Sequence, residues 1–257
     1  MSAPTRVGLV VPSSNTTIET EVPEMLARRA AATGESWTFH SSRAVLHRVD
    51  AASLERMVGQ VDRCASELSD ARVDAIVYAC LVALMARGPG AHEGVERRLG
   101  EVAREHHGYD PAISSSAGAL VRALADHGLR RVAIVTPYVE ALTAQVVAYL
   151  EAAGVAVTDA MSLGVEDNVR VAALDPMRLP HLASQLDLGT ADAVIISACV
   201  QMPSLPAIPA AERLLDLPVL SAATATVHDL LVRLGRMPEI PDAGALLGGR
   251  TPLTPAR

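Results

Sequence analysis

Apolar residues fall along this chain in two kinds of pattern. Short runs with no polar alternation recur, as in RVGLVVP at residues 6–12, VDAIVYA at 73–79, RRVAIVT at 130–136 and ADAVIIS at 191–197. Runs of that kind predict strands buried on both faces, the habit of parallel sheets covered by helices. Between them lie longer stretches in which apolar and charged residues mix. IETEVPEMLARRAAATG predicts a helix ending at Gly34, and a helix is expected over residues 51–68. Residues 37–45 and 111–116 read as further strands, and a glycine-rich turn, Gly88 to Gly90, opens a charged helix.

The pattern then restarts. RRVAIVTPYVEALTAQVVAYLEAAGV repeats RVGLVVPSSNTTIETEVPEML, with Pro137 answering Pro12. ADAVIISACVQMPSL repeats VDAIVYACLVALM, with Cys199 answering Cys80, and PVLSAATATVHDLLVRLG repeats PAISSSAGALVRALADHG. Three strand-loop-helix units recurring in one order imply an internal duplication. The expected fold is α/β: two similar lobes, each a short parallel sheet flanked by helices, related by a pseudo-two-fold axis, with a cleft between them. Residues 1–113 with a returning segment 221–257 are expected to form the N-terminal lobe, and residues 114–220 the C-terminal lobe. The Pro- and Gly-rich stretch after Gly235 reads as packed chain with a frayed end.

Composition narrows the function. The 257 residues carry a net charge of −7 and only one Phe and one Trp, so Val, Leu, Ile and Ala must build the core. There is no basic block and no RNA-binding aromatic signature, which argues against nucleic acid. No apolar run approaches the ~20 residues of a membrane helix, and no targeting segment opens the chain. A cytoplasmic location is therefore expected. Three widely spaced cysteines make no disulfide framework, and no Cys/His cluster has metal-ligand spacing.

The candidate chemistry sits at strand ends. Cys80 and Cys199 each end a buried strand, at the sheet edge where open α/β sheets bind ligands. A helix start there is expected to lower a thiol's pKa, making each a thiolate nucleophile or a proton donor. Cys64, inside a predicted helix, reads as structural. The hydroxyl- and amide-rich loop SSNTT (Ser13 to Thr17) leaves the same edge and suits an anion. Read strictly, the repeat also puts Asp167 and Asn168 on the cleft side. His106 and His107 are placed for contact with a helix dipole.

These motifs resemble the Asp/Glu racemase superfamily. Within it, VGLVVPSSNTTIETEVP, YACLVALM, TPYV, the Asn of GVEDN and SACVQMPSL closely resemble the maleate cis-trans isomerases, over nearly the whole chain. The resemblance implies an active site lined by Asn15, Cys80, Tyr138, Asn168 and Cys199, with Ser14, Leu81, Val82 and Val200 beside them in the same motifs. It implies isomerisation of maleate to fumarate with no cofactor and no metal. Cys80 would attack C2, and Cys199 would protonate C3 and later remove that proton. Since no arginine falls in the motifs, neutral donors and helix dipoles are expected to hold both carboxylates. Two accessible, low-pKa cysteines would also be prone to oxidation. The resemblance further implies a homo-oligomer, a dimer or higher. Other readings stay open: an amino-acid racemase, although Leu81-Val82 and Val200-Gln201 stand where racemases typically have Asn-Thr; an arylmalonate-type decarboxylase, although Cys80 is present; and a non-catalytic small-anion-binding protein.

Overall fold

The uninterrupted apolar runs become strands of two four-stranded sheets in a computed structural model that describes residues 3–249 and 253. In the first half β1 (Thr5–Pro12), β2 (Trp37–Ala44), β3 (Ala75–Tyr78) and β4 (Ala112–Ser115) take the order β2-β1-β3-β4. In the second, β5 (Arg131–Thr136), β6 (Ala156–Ser162), β7 (Ala193–Ser197) and β8 (Val219–Ser221) take the order β6-β5-β7-β8. Every pairing is parallel. The second sheet thus repeats the first strand for strand. Val7, Leu9, Val10 and Val11 of β1 are all fully buried, so β1 has no solvent face on which polar residues could alternate. Gly8 is needed between them, because a Cβ there would lie 2.8 Å from the Val73 side chain.

Helices connect the strands. α1 (Ile18–Thr33) follows β1 and ends where Gly34 turns left-handed, at φ 76°. The single helix expected over residues 51–68 is instead two, α2 (Ala51–Val58) and α3 (Val61–Asp70). Gly59 is a poor helix former, and the Gln60 side chain is drawn away to β2's exit, accepting from the Val45 amide at 3.0 Å. Strands expected to reach Val45, Ala79 and Ser116 stop one residue or so earlier. Ser115, for instance, caps the next helix by accepting from the Gly118 amide.

α4 (Leu81–Met85), α5 (Ala91–His107) and α6 (Ser116–Asp126) complete the first half. His106 and His107, at the end of α5, both turn to Asp70, at 3.3 and 2.9 Å. α7 (Glu140–Ala152), α8 (Asn168–Ala172), α9 (Leu179–Ala183), α10 (Ile208–Leu215) and α11 (Ala222–Arg233) follow in the second half.

After β8 the chain crosses back. α11 packs on α6, β4 and α1. An ionic cluster fastens it there: Arg122 bridges Glu96 of α5 and Asp229 of α11, at 2.9 and 2.8 Å. Beyond α11, Arg29 of α1 donates to the carbonyls of Met237 and Glu239, and the Arg236 guanidinium lies 4.4 Å over the Trp37 ring. Ile240, Ala243, Leu246 and Leu247 are buried, so this part of the tail is packed chain. The end expected to fray lies, Leu253 apart, outside the described residues. Among the described residues no helix is long and apolar enough to cross a membrane.

Candidate active site

The site is assembled where the central strands β1, β3, β5 and β7 end. β3 and β7 deliver their cysteines in matching ways. The amide of Ala79 donates to the Val10 carbonyl (2.8 Å) and that of Ala198 to the Val135 carbonyl (3.0 Å), each bonding the residue before a cysteine to the neighbouring central strand. Cys80 then stands just before the first residue of α4, while Cys199 enters a tight turn held by the Ser197 hydroxyl, which donates to the carbonyls of Cys199 and Met202. Both cysteines are almost closed off from solvent, at 4% and 5% exposure.

The loop after β1 supplies Asn15. Its side-chain carbonyl accepts from the amides of Thr17 (2.9 Å) and Ile18 (3.1 Å), capping α1. That use of the oxygen fixes the amide's orientation, so the NH2 group points across the cleft and donates to the Val200 carbonyl at 3.4 Å. Ser14 lies beside it: its hydroxyl donates to the Leu46 carbonyl (2.6 Å) and accepts from the Asn168 amide (2.8 Å). From outside, Arg43 steadies the loop through the carbonyls of Ser13 and Asn15 and pairs with Glu19.

Tyr138 follows β5 and is buried, and its hydroxyl is directed at the Cys199 thiol. The carbonyls of Pro137 and Tyr138 accept from Val165 and Gly164, which draws in the loop leading to Asn168. Asn168 is buried. Asp167, expected beside it in the cleft, is exposed instead: it serves as the cap of α8, accepting from the Val169 amide. Leu81, Val82 and Val200 are buried apolar neighbours of the two cysteines.

Electrostatics correct the thiol expectation. Burial pushes Cys80 up to about 12, against one backbone donor, the Ala83 amide, and the charge of Cys199 adds to the rise. Burial also raises Cys199, though the Tyr138 hydroxyl and the amides of Gln201 and Met202 pull it back. The Gln201 amide lies 3.3 Å from its sulfur. Desolvation therefore outweighs the helix starts, and both thiols are inaccessible rather than exposed and acidic. Tyr138 is itself raised well above its ordinary value by burial, and so remains a donor. Among the described residues no arginine is one of the groups acting on Cys80, Cys199 or Tyr138.

Sequence reasoning passed over Gln201. It is 2% exposed, and its side chain accepts from the Thr16 amide (3.0 Å) and donates to the carbonyls of Ser14 (3.0 Å) and Asn168 (2.9 Å). Nothing local in VQMPSL signals this, because the partners at Ser14 and Thr16 lie about 185 residues away.

Comparison with known proteins places this geometry. The arylmalonate decarboxylase family model matches residues 7–247. A maleate isomerase of Geobacillus stearothermophilus is 50% identical, covering 95% of this chain and 98% of that protein. A maleate isomerase of Alcaligenes faecalis is 48% identical, covering 96% and 98%. Among solved structures, a cysteine-to-alanine variant of the Pseudomonas putida S16 maleate isomerase with maleate is 46% identical and superposes with a TM-score of 0.95, covering 97% of this chain and 100% of that one. A cysteine-to-serine variant of the Nocardia farcinica maleate cis-trans isomerase with a covalently bound succinylcysteine intermediate is 44% identical, with a TM-score of 0.92 and the same coverage.

Proposed function

This chain belongs to the maleate isomerases within the arylmalonate decarboxylase family, and we infer from that how its own residues turn maleate into fumarate. Maleate's double bond forbids rotation, so the enzyme must make that bond single for a moment. Cys80 attacks C2 as a thiolate and its sulfur-carbon bond forms while the C2–C3 π electrons move toward the far carboxylate. Cys199 gives its proton to C3, leaving a succinyl-cysteine adduct with a C2–C3 single bond. Rotation separates the carboxylates. Cys199 then takes a proton back from C3, the sulfur-carbon bond breaks, and fumarate leaves. The thiolate on Cys80 forms by loss of its proton to water while the cleft is open, where burial no longer holds that proton on.

The attack develops extra negative charge on a carboxylate, so donors must be in place beforehand. Asn15 offers an NH2 group whose direction α1 fixes, and Asn168 a second side-chain amide; Tyr138 works on Cys199. Ser14 positions Asn168, while Leu81, Val82 and Val200 exclude water. The observation that carries the reading is the pair of buried thiols delivered by equivalent strand ends of two repeated sheets, with Tyr138 and neutral amides as their company. We also read residues 1–113 with 221–257 as one lobe and 114–220 as the other: α11 returns to α1 of the first lobe, while the end of β4 and α6, on which α11 also packs, cross into the second. Three free cysteines suit the reducing cytoplasm.

Proton NMR of the reduced protein with maleate and nothing else tests the reaction. A fumarate signal is expected to grow with the wild type and to be absent with Cys80→Ser and Cys199→Ser. A folded wild type that makes no fumarate would count against the assignment.

A further inference from the structure

We propose that Gln201 is the positioning residue that latches the two lobes shut over the reacting cysteines, so that its side chain sets when the site is competent. The inference rests on the isomerase reading. Its evidence is a set of bonds that all pass through one residue. The Gln201 side-chain oxygen takes the Thr16 amide, and its NH2 group gives both hydrogens away, to the carbonyls of Ser14 and Asn168. The main chain adds two more links: the Gln201 carbonyl accepts from the Thr17 hydroxyl at 2.7 Å, and its amide donates to the Cys199 sulfur.

One residue therefore touches the loop carrying Asn15, the residue Asn168 itself, and the thiol of Cys199. Of these, the loop belongs to the first sheet and the other two to the second. Thr16 is exposed and Ser14 half-buried while Gln201 and Asn168 are buried, so the latch runs from the buried site out to the surface. With both thiols nearly closed off, contacts around the site must part for substrate to enter, and those through Gln201 join the two halves beside Cys199. Three neutral hydrogen bonds are well matched to that duty. They are strong enough together to hold a dry site, and each is readily exchanged for water when the lobes separate. A hydrophobic residue of the same size would fill the space but leave the Thr16 amide and two carbonyls unpartnered on closing.

Gln201→Leu and Gln201→Glu separate this role from simple packing. In Gln201→Leu, kcat/KM for maleate is expected to fall roughly 100-fold, the scale of a site displaced by about 1 Å. Cys80 and Cys199 are expected to react with iodoacetamide at least about tenfold faster, read peptide by peptide by mass spectrometry. Gln201→Glu differs by a single polar group and keeps the oxygen facing Thr16. As a carboxylate it has no hydrogen for Ser14 or Asn168 and repels both carbonyls; as a carboxylic acid it regains one donor. Its activity relative to wild type is therefore expected to rise about tenfold as pH falls from about 8 to 5.5. A purely structural role would show that rescue only as a change in the folded fraction, whereas the latch shows it in kcat/KM of protein that urea unfolding finds folded at both pH values. Should Gln201→Leu fail to fold, the Gln201→Glu profile decides alone. Variants that fold, turn over maleate within about twofold of wild type and label no faster would overturn the latch. So would a Gln201→Glu deficit that is flat with pH. Wild type that makes no fumarate at all would instead sink the isomerase reading, and the latch with it.

Discussion

Cys80 holds its proton to unusually high pH because water has been taken from around it, and a single backbone amide does not replace that water. With the pKa pushed up to about 12, very few molecules carry the thiolate at pH 8 in the closed state. The rate of Cys80 alkylation by iodoacetamide is therefore expected to climb about tenfold per pH unit up to at least about pH 10, with no plateau near 8.5. A plateau at or below that value would mean the closed site does not govern its reactivity. For the same reason the resting enzyme is expected to resist peroxide, the reverse of what exposed acidic cysteines would do. Cys199 differs in having three donors, of which only the Tyr138 hydroxyl can be removed by mutation. Tyr138→Phe is expected to cost about 1.5–3 kcal/mol of thiolate stabilisation, a roughly tenfold or greater loss in kcat, with the KM for maleate little changed. The sequence told where both thiols stand, because strand ends are visible in it. It could not tell their acidity, which depends on how completely the other half of the chain covers them.

At the level of elements, the repeat explains which contacts were foreseeable. The strands in their chain order, a cysteine just past the end of a buried strand in each half and the cap-rich loop after β1 all follow from local patterns recurring in sequence, and all are present. The break between α2 and α3, the outward turn of Asp167 and the role of Gln201 follow from partners far away in the chain, which no local pattern encodes. Glu21 belongs with the second group. Sitting on α1, it is buried and accepts from the amides of Ser204 (2.6 Å) and Leu205 (2.7 Å), capping a short turn of the opposite half. Burial raises its pKa despite those donors. Folding thus disfavours the charged form relative to the unfolded chain. Glu21→Ala, which leaves two buried amides unpaired, is expected to lose about 1–3 kcal/mol in urea unfolding. Glu21→Gln retains an acceptor and avoids the charge, so it should stay within about 1 kcal/mol of wild type. The raised folded pKa sets the sign of the pH effect. Wild type gains on Glu21→Gln below about pH 4.5, the unfolded value, and loses that gain as pH rises through the folded one. A stability difference that ignores pH would remove desolvation as the dominant effect at Glu21.

The whole molecule is closed by the return of α11, and there two histidines from distant parts of the chain meet. His127 at the end of α6 and His228 on α11 bring their Nε2 atoms to 3.3 Å, and the Nδ1 of His127 has no partner among the described residues. One ring can donate to the other only while at least one is neutral. Burial lowers both pKa values below 6.5. Asp126 acts on both rings and Asp229 on His228, each in the opposite sense but more weakly, while the charge of His127 lowers His228 further. The unfolded chain takes up protons near pH 6.5 that the folded protein refuses. Stability should accordingly be level above about pH 7 and fall as pH drops below 6.5, by up to about 1.4 kcal/mol per pH unit for each proton. His92, also lowered by burial, adds to the same slope, whereas Asp229, held low by burial-resistant bonds to Arg122, matters only below about pH 4. Urea unfolding between about pH 7.5 and 5.5 reads this directly. His228→Gln should flatten the curve without altering the pH dependence of maleate turnover, since the pair lies on the seam between α6 and α11 rather than among the groups acting on the cysteines. If wild-type and His228→Gln stabilities ran parallel over that range, a comparison in which the opposite slope from Glu21 cancels, the buried pair would have to be taking up its proton in the folded state, and the seam would be open to water.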